Sequence, residues 1–184
     1  VEKVHRTDNG VVTTSAAGEE HFDAVFIASH SDQALAMLAD PSEAEQQVLG
    51  AITYQDNEVL LHTDQSVMPV RKLAWAAWNY HLLEGEQGRV PVTYNMNILQ
   101  GFDCPEQFCV TLNNSDAIDQ TKVLKRMNYQ HPVYTPESVA AQARQTEINT
   151  DRTFYCGAYW RYGFHEDGVV SALDALGHFN NRHR

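Results

Sequence analysis

The stretch Thr153–Leu176, TFYCGAYWRYGFHEDGVVSALDAL, gathers most of the residue types that could do chemistry in this chain. A short apolar run, Phe154-Tyr155-Cys156, ends at Gly157. Three aromatics follow at alternate positions, Trp160, Tyr162 and Phe164, and then His165-Glu166-Asp167 leads to Gly168. A helix is predicted from Gly168 to about Phe179. Its first turn offers unpaired N–H groups and a partial positive charge. Glycines at Gly157 and Gly168 let another group come close to the backbone. Trp160, Tyr162 and Phe164 are either loop residues packed on the core or the lining of a substrate cavity, where aromatics orient an apolar or unsaturated molecule at small entropic cost. Glu166 or Asp167 suits helix capping. His165 has the pKa range for acid–base work, but the sequence names no partner for it, so no catalytic residue is assigned.

Other clusters carry less. Trp75, Trp78 and Tyr80 fall on an expected strand, Trp75 on one face and the other two on the opposite face. They read as core packing or, for Trp75 above all, as the wall of a substrate pocket. His62 and Asp64 have an alternating spacing that suits two metal ligands, yet no third ligand is in view, and no metal site is assigned. Cys104, Cys109 and Cys156 make an odd count at no metal-like spacing. They read as reduced thiols in a cytoplasmic protein.

Composition bounds the rest. The 184 residues are enough for one large domain or two small ones, and 43% of them are hydrophobic, enough for a packed core. A formal net charge of -11 is the opposite of a nucleic-acid surface. No apolar run approaches the roughly 18 residues of a membrane helix, so no transmembrane segment is expected. The opening VEKVHRTDNG already reads as strand at Val1 and Val4, which suggests a start inside a fold.

The elements that would position these residues form an α/β opening, a β-rich middle and an α/β ending. Two alternating runs flank the hairpin turn Asp8-Asn9-Gly10. Ala24–Ala28 is a continuous apolar run, as expected of a strand buried on both faces. Helices are expected after Ser31 and over SEAEQQVLGAI, with Asp40-Pro41-Ser42 as the break. EVLLHTD, KLAWAAWNYHLL, VPVTYNMNIL and FCVTLNN read as strands, and DQTKVLKRMNYQ as strand or helix. TPESVAAQARQTEIN reads as one helix capped by Thr135 with Pro136 at its first position. A chain that leaves a layer, builds a second unit and returns implies an inserted domain. Segment 1–40 would begin the first domain, 41–135 would be a β-rich substrate-binding domain, and 136–184 would return to the first. The strands at Val25–Ala28 and Phe154–Cys156 should then share a layer.

Three blocks carry a resemblance that spans essentially the whole chain. VEKV with GEEHFDAVFIAS, the closing TFYCGAYWRYGFHEDGVVSALDAL, and the middle LHTDQSVMPVRKLAWAAWNY with VTYNMNILQG and VTLNN resemble the C-terminal half of flavin-containing amine oxidases and their phytoene-desaturase-like relatives. The nearest branch is the bacterial one described as predicted NAD/FAD-binding proteins. The resemblance implies an α/β fold: part of a Rossmann-like FAD-binding domain with an inserted β-rich substrate domain. It implies FAD as cofactor of the complete flavoprotein, an oxidoreductase acting on a C–N or C–C bond. By position it makes Gly157, Gly168 and Val169 flavin contacts, and Val1 the valine packed on the adenine.

The departures matter. G-x-G-x-x-G, which holds the pyrophosphate, is absent from the chain, so the resemblance implies FAD binding by the complete protein and not by these residues alone. Ala158 stands where the family often has an acid. Gly168 aligns with an aromatic of the amine oxidase cage, and Asn57 or Glu58 falls where a lysine is usual. A lipid-like or isoprenoid substrate is therefore at least as well supported as an amine. The alternative is a cofactor-free binding or interaction module without catalytic activity.

Overall fold

A computed structural model describes residues 1–82 and 88–182. In chain order the elements begin with strands β1 (Lys3–Thr7), β2 (Gly10–Ser15), β3 (Gly18–Phe22) and β4 (Val25–Ile27), then helices α1 (Ser31–Met37) and α2 (Glu43–Gly50). Next come β5 (Tyr54–His62), β6 (Trp78–Tyr80), β7 (Val92–Asn95), α3 (Met96–Gln100), β8 (Cys109–Leu112) and β9 (Val123–Pro132). The chain closes with α4 (Pro136–Gln142), α5 (Gln145–Ile148), β10 (Thr153–Tyr155) and α6 (His165–Arg182). This is a mixed α/β fold in two compact units, Val1–Tyr54 with Pro132–Arg184 and, separately, Gln55–His131.

The first unit holds the antiparallel sheet β1-β2-β3 and the parallel pair β4-β10. Thr153, Phe154 and Tyr155 lie opposite Val25, Phe26 and Ile27, so the two apolar runs share a layer as the sequence predicts. Their two faces are buried differently. Ile27 and Tyr155 point into a core with Val4, Val11, Ala34, Val48 and Leu49. Phe154 points to the other side and packs on Ala175 of α6, with Phe26 stacked on it at 5.0 Å between ring centroids. The first unit runs on through Tyr54, past the break at Asp40-Pro41-Ser42. The reason is α2: Val48 and Leu49 are fully buried in this core.

α2 is started by a capping box between Ser42 and Glu45, and α4 by one between Thr135 and Ser138 with Pro136 at the first position. The single helix predicted after Thr135 is instead two short ones. Gln142 donates its amide to the carbonyls of Tyr159 and Arg161, and Gln145 to that of Tyr155, so each piece is tied separately to the β10 segment.

One partly buried ion pair joins three of these elements. Arg6 of β1 reaches the Glu45 carboxylate of α2 at 2.7 and 3.0 Å, and the Tyr155 hydroxyl of β10 donates to the same carboxylate at 2.6 Å.

The second unit is a five-stranded sheet in the order β6-β7-β8-β5-β9. The segment left ambiguous in sequence, around VLKRMNYQ, is the strand β9. Two expected strands are shorter. In VTYNMNIL the Asn95 side chain accepts from the Ile98 amide and turns the chain into α3 after only four strand residues. In KLAWAAWNY only Trp78–Tyr80 joins the sheet; Lys72–Ala74 is a 3-10 turn, and the Trp75 indole N–H donates back to the Pro69 carbonyl at 2.7 Å. Trp78 and Tyr80 are exposed, which corrects their reading as core residues.

The buried face of this sheet carries a polar ladder beside Leu60 and Cys109. His62 Nδ1 accepts from the Asp64 amide, so its Nε2–H donates to Thr111; Thr111 bonds Thr93, and Thr93 bonds His81, with links of 2.7–2.8 Å. Only acceptance at Nδ1 is open to His62, because a backbone N–H can only donate. Burial holds the pKa of both His62 and His81 below the ordinary value.

Candidate functional site

The site is built where β4 and β10 end. In open parallel sheets the crevice beyond the carboxyl ends of the strands is where ligands bind. β10 runs through Cys156 into Gly157, whose φ of 154° is outside the range an L side chain prefers. A Cβ there would stand 2.4 Å from the Tyr159 ring, so this glycine is required by the aromatic that follows it. The Gly157 amide donates to Ser171 Oγ at 2.8 Å, and that hydroxyl donates to the Gly168 carbonyl at 2.9 Å. These two bonds fasten the strand end to the first turns of α6.

α6 starts at His165, one turn fraction earlier than predicted, which puts Gly168 inside the helix. Asp167 is buried and its Oδ2 accepts from the amides of Tyr162 and Phe164, at 3.2 and 3.0 Å. The carboxylate thus fixes the aromatic loop and offsets the positive end of the helix. His165 and Glu166 are exposed. A Cβ on Gly168 would find its nearest neighbour, the Ala158 amide nitrogen, at 4.0 Å, which is ordinary contact. The position is therefore a glycine for no reason of packing within this chain.

The predicted residues separate into groups. Gly157, Gly168 and Val169 come together, with Val169 exposed on the outer side of α6. Val1 is exposed at the start of the antiparallel sheet. Tyr162 and Phe164 are exposed in the loop before α6, whereas Trp160 is buried in the core against Tyr159, ring centroids 5.1 Å apart. Trp75 belongs to the second unit, half-buried, with the Lys72 ammonium 5.5 Å from its ring centroid.

Sequence reasoning missed a second aromatic and polar group at this end of the first unit. His30, three residues beyond β4, stacks on Tyr54 at 4.2 Å between centroids and 8° between planes. The Tyr54 hydroxyl accepts from the Ser31 amide. Burial raises the pKa of the Tyr159 phenol strongly, and Tyr54 adds to the effect, so the two phenols lie in one electrostatic environment. Among the described residues, buried His30 Nδ1, Tyr159 Oη and Trp160 Nε1 have no geometrically sound hydrogen-bond partner. Asn149 Nδ2 and Thr153 Oγ1 of the same unit are unpaired too; buried polar atoms are almost always paired, so the His30, Tyr159 and Trp160 atoms are places that a water or a ligand can complete. No motif announces this group; the only signal is a histidine just after an apolar strand.

A cleft of about 850 Å³ opens elsewhere, at the amino ends of β4 and β10, beside Asp23 and Arg152. Its arginines are already engaged: Arg6 by Glu45, Arg152 by the carbonyls of Asp23 and Asp8, Arg182 by Asp151. Unpaired buried atoms lie toward this end as well, Thr153 Oγ1 at the start of β10 and Asn149 Nδ2 just before it. His62 and Asp64 do not converge on a common point: Asp64 accepts from the Ser66 and Asp119 amides and from Lys122. Among the described residues no group of three or more His, Cys, Asp or Glu could hold a metal ion, and no helix is long and apolar enough to cross a membrane.

No protein-family model matches the chain, and no curated protein matches it. Solved structures do. One is described as the "Putative protoporphyrinogen oxidase" of Exiguobacterium sp. 255-15, with a TM-score of 0.60 and 12% identity over 98% of this chain and 46% of that one. Another is described as a "CLA-producing fatty acid isomerase" from P. acnes, with a TM-score of 0.59 and 15% identity over 97% of this chain and 46% of that one. The chain thus spans just under half the length of each, and at these identities the likeness is one of fold.

Proposed function

We infer that the chain is the substrate-binding and flavin-capping portion of an FAD-dependent oxidoreductase acting on a C–N or C–C bond. The observation that carries this is the parallel pairing of β4 with β10, which delivers Gly157 and the first turns of α6 to the carboxyl end of one strand layer. In this reading the first unit is part of a Rossmann-like domain and the second is the inserted substrate domain. The residues present fit such a group. An exposed Val169 and the bare backbone of Gly168 suit the face of a planar ring, and the unpartnered His30 and Trp160 nitrogens suit its polar edge. FAD, when bound, supplies the redox chemistry. The chain's own residues bind and orient: Asp167 holds the Tyr162–Phe164 loop, Ser171 holds Gly157, and Val1 offers an apolar contact for the adenine. A fatty acid isomerase among the structural neighbours supports a lipid-like substrate. Three free thiols suit a reducing, cytoplasmic setting.

The test compares bound flavin per protein with thermal midpoint. The chain alone should purify colourless. Produced together with its upstream coding sequence, which should encode a strand-GxGxxG-helix unit, it should bind FAD. Val169→Asp and Gly168→Leu should then lower occupancy while the cofactor-free midpoint stays within a degree or two. An upstream segment without that unit, or flavin affinity unmoved by both substitutions, would leave the cofactor-free binding module as the better reading.

A further inference from the structure

The loop between β5 and β6 presents a surface that the flavin reading does not use. Val70 and Leu73 are both fully exposed, and Arg71 and Lys72 between them are exposed too. The loop is held in shape: the Lys72–Ala74 turn is closed by Ala74 and Trp75 amides on the Arg71 and Lys72 carbonyls, and Trp75 is tied to Pro69. Two aliphatic side chains are thus offered to solvent by a fixed loop. The neighbouring strand continues the theme. β6 is an edge strand of its sheet, and Trp78 and Tyr80 point together away from buried Asn79. The Trp78 ring meets Tyr94 of the next strand edge-on at 5.5 Å. Apolar groups of this size on a surface normally mark a binding face.

The charge pattern selects the partner. The chain carries 24 acidic residues, yet none falls between Asp64 and Glu84, where the only fixed charges are Arg71 and Lys72. An aliphatic tip, adjoining cations and amphipathic Trp and Tyr side chains are the set that seats in a bilayer interface. The molecule as a whole, at a formal -11, would be repelled by an anionic bilayer and would leave this face, with its two cations, to approach it.

We propose that Val70, Leu73, Trp78 and Tyr80, with Arg71 and Lys72, form a docking face for the surface of an anionic phospholipid bilayer. The aliphatic pair enters the headgroup–acyl boundary, the two cations meet phosphate and carboxylate groups, and the aromatics lie at headgroup depth.

The test is sedimentation of the 184-residue chain with vesicles of phosphatidylcholine containing phosphatidylserine, against phosphatidylcholine alone. Binding should favour the anionic vesicles and weaken as salt is raised. Arg71→Ala/Lys72→Ala should lower the partition coefficient about 25-fold, at about fivefold for each cation removed. Val70→Asp/Leu73→Asp should lower it at least tenfold without moving the thermal midpoint, because both side chains are fully exposed. In the parent, brominated lipid should quench tryptophan emission, a readout that needs no variant. Absence of binding to anionic vesicles, or equal binding by the Val70→Asp/Leu73→Asp chain, overturns the proposal. So does self-association that these substitutions abolish in a chain that ignores vesicles, since the face would then serve a protein partner.

Discussion

Replacing Glu45 by Gln should cost more than any other single-atom change in the first unit. Glu45 is 1% exposed, and its two oxygens satisfy four donors. One accepts from Arg6 Nη1 and the Tyr155 hydroxyl, the other from Arg6 Nη2 and the Ser42 amide. A glutamine amide has one acceptor oxygen. Whichever way it turns, its NH2 faces a guanidinium N–H together with either the phenol or the Ser42 amide. The phenol can rotate and accept; the guanidinium and the backbone amide cannot. Breaking one side of a buried pair in this way costs about 3–5 kcal/mol. At about 2–4 °C per kcal/mol for a chain of this length, the midpoint should fall by about 6–20 °C. Tyr155→Phe removes a single charge-assisted bond and should cost about 1.5–3 kcal/mol. Acid titration gives an independent check. Burial pushes the Glu45 carboxyl up, but the bonds from Arg6, Tyr155 and Ser42 outweigh it and hold the group below its ordinary 4.5. A carboxyl depressed by folding contributes stability that is complete above the unfolded value and is lost as pH falls through the folded one. The parent should therefore lose stability below about pH 4.5, and the Gln variant should show a shallower acid limb. Urea unfolding from pH 7 to 3 measures both effects. A Gln variant within about 1 kcal/mol of the parent, with an unchanged acid limb, would refute the assignment of this carboxylate as the tie between β1, α2 and β10.

Three further outcomes follow from the geometry. Gly157→Ala should destabilise by about 1–3 kcal/mol, because its Cβ meets the Tyr159 ring, whereas Gly168→Ala, inside a helix with room for a methyl, should stabilise by up to about 1 kcal/mol; a thermal melt of each settles the order. Thr111→Val, which cuts the chain between His62 and His81, should cost about 1–3 kcal/mol. Because burial keeps both imidazoles below the ordinary 6.5, their contribution is present at neutral pH and should be lost as pH falls below that value, and histidine proton titration by NMR would show otherwise if either ring protonates at 6.5 or above. Burial pushes the Cys109 thiol up to about 11 and raises Cys156 as well, so a thiol reagent at pH 8 should modify half-exposed Cys104 first, with all three reacting only in denaturant.

The strand, turn and cap signals were legible because they are local. Asp8-Asn9-Gly10 sets the first hairpin, Ser42 and Thr135 start helices, and Ala24–Ala28 and Phe154–Cys156 are apolar on both faces and do pair. What the sequence hid depends on contacts made at a distance. Trp78 and Tyr80 were expected inside, yet the residue between them, Asn79, is the one buried, since the sheet's inner face carries a polar ladder and inverts the usual alternation there. The helix after Thr135 divides where Gln145 reaches the Tyr155 carbonyl of β10 and Gln142 the carbonyls of Tyr159 and Arg161 beyond it. His30 joins Tyr54 across a gap of two helices, and neither residue carries a motif. Of the two readings open for Trp160, packing on the core is the one found, and most of that core lies far off in sequence.

The pairing of β4 with β10 also sets a timetable for synthesis. About 125 residues separate Ile27 from Thr153, and a ribosome adding about 5–20 residues per second needs about 6–25 s to supply the second strand after the first. The sheet of Gln55–His131 is contiguous in the chain and can close during that interval. Through the same interval the apolar strand Val25–Ile27 has no β10 to lie against. The nascent chain therefore carries an unpaired, Phe-bearing strand for seconds, so chaperone demand should be highest between emergence of β4 and emergence of β10, and truncation before Thr153 should yield a soluble second unit attached to an aggregating first.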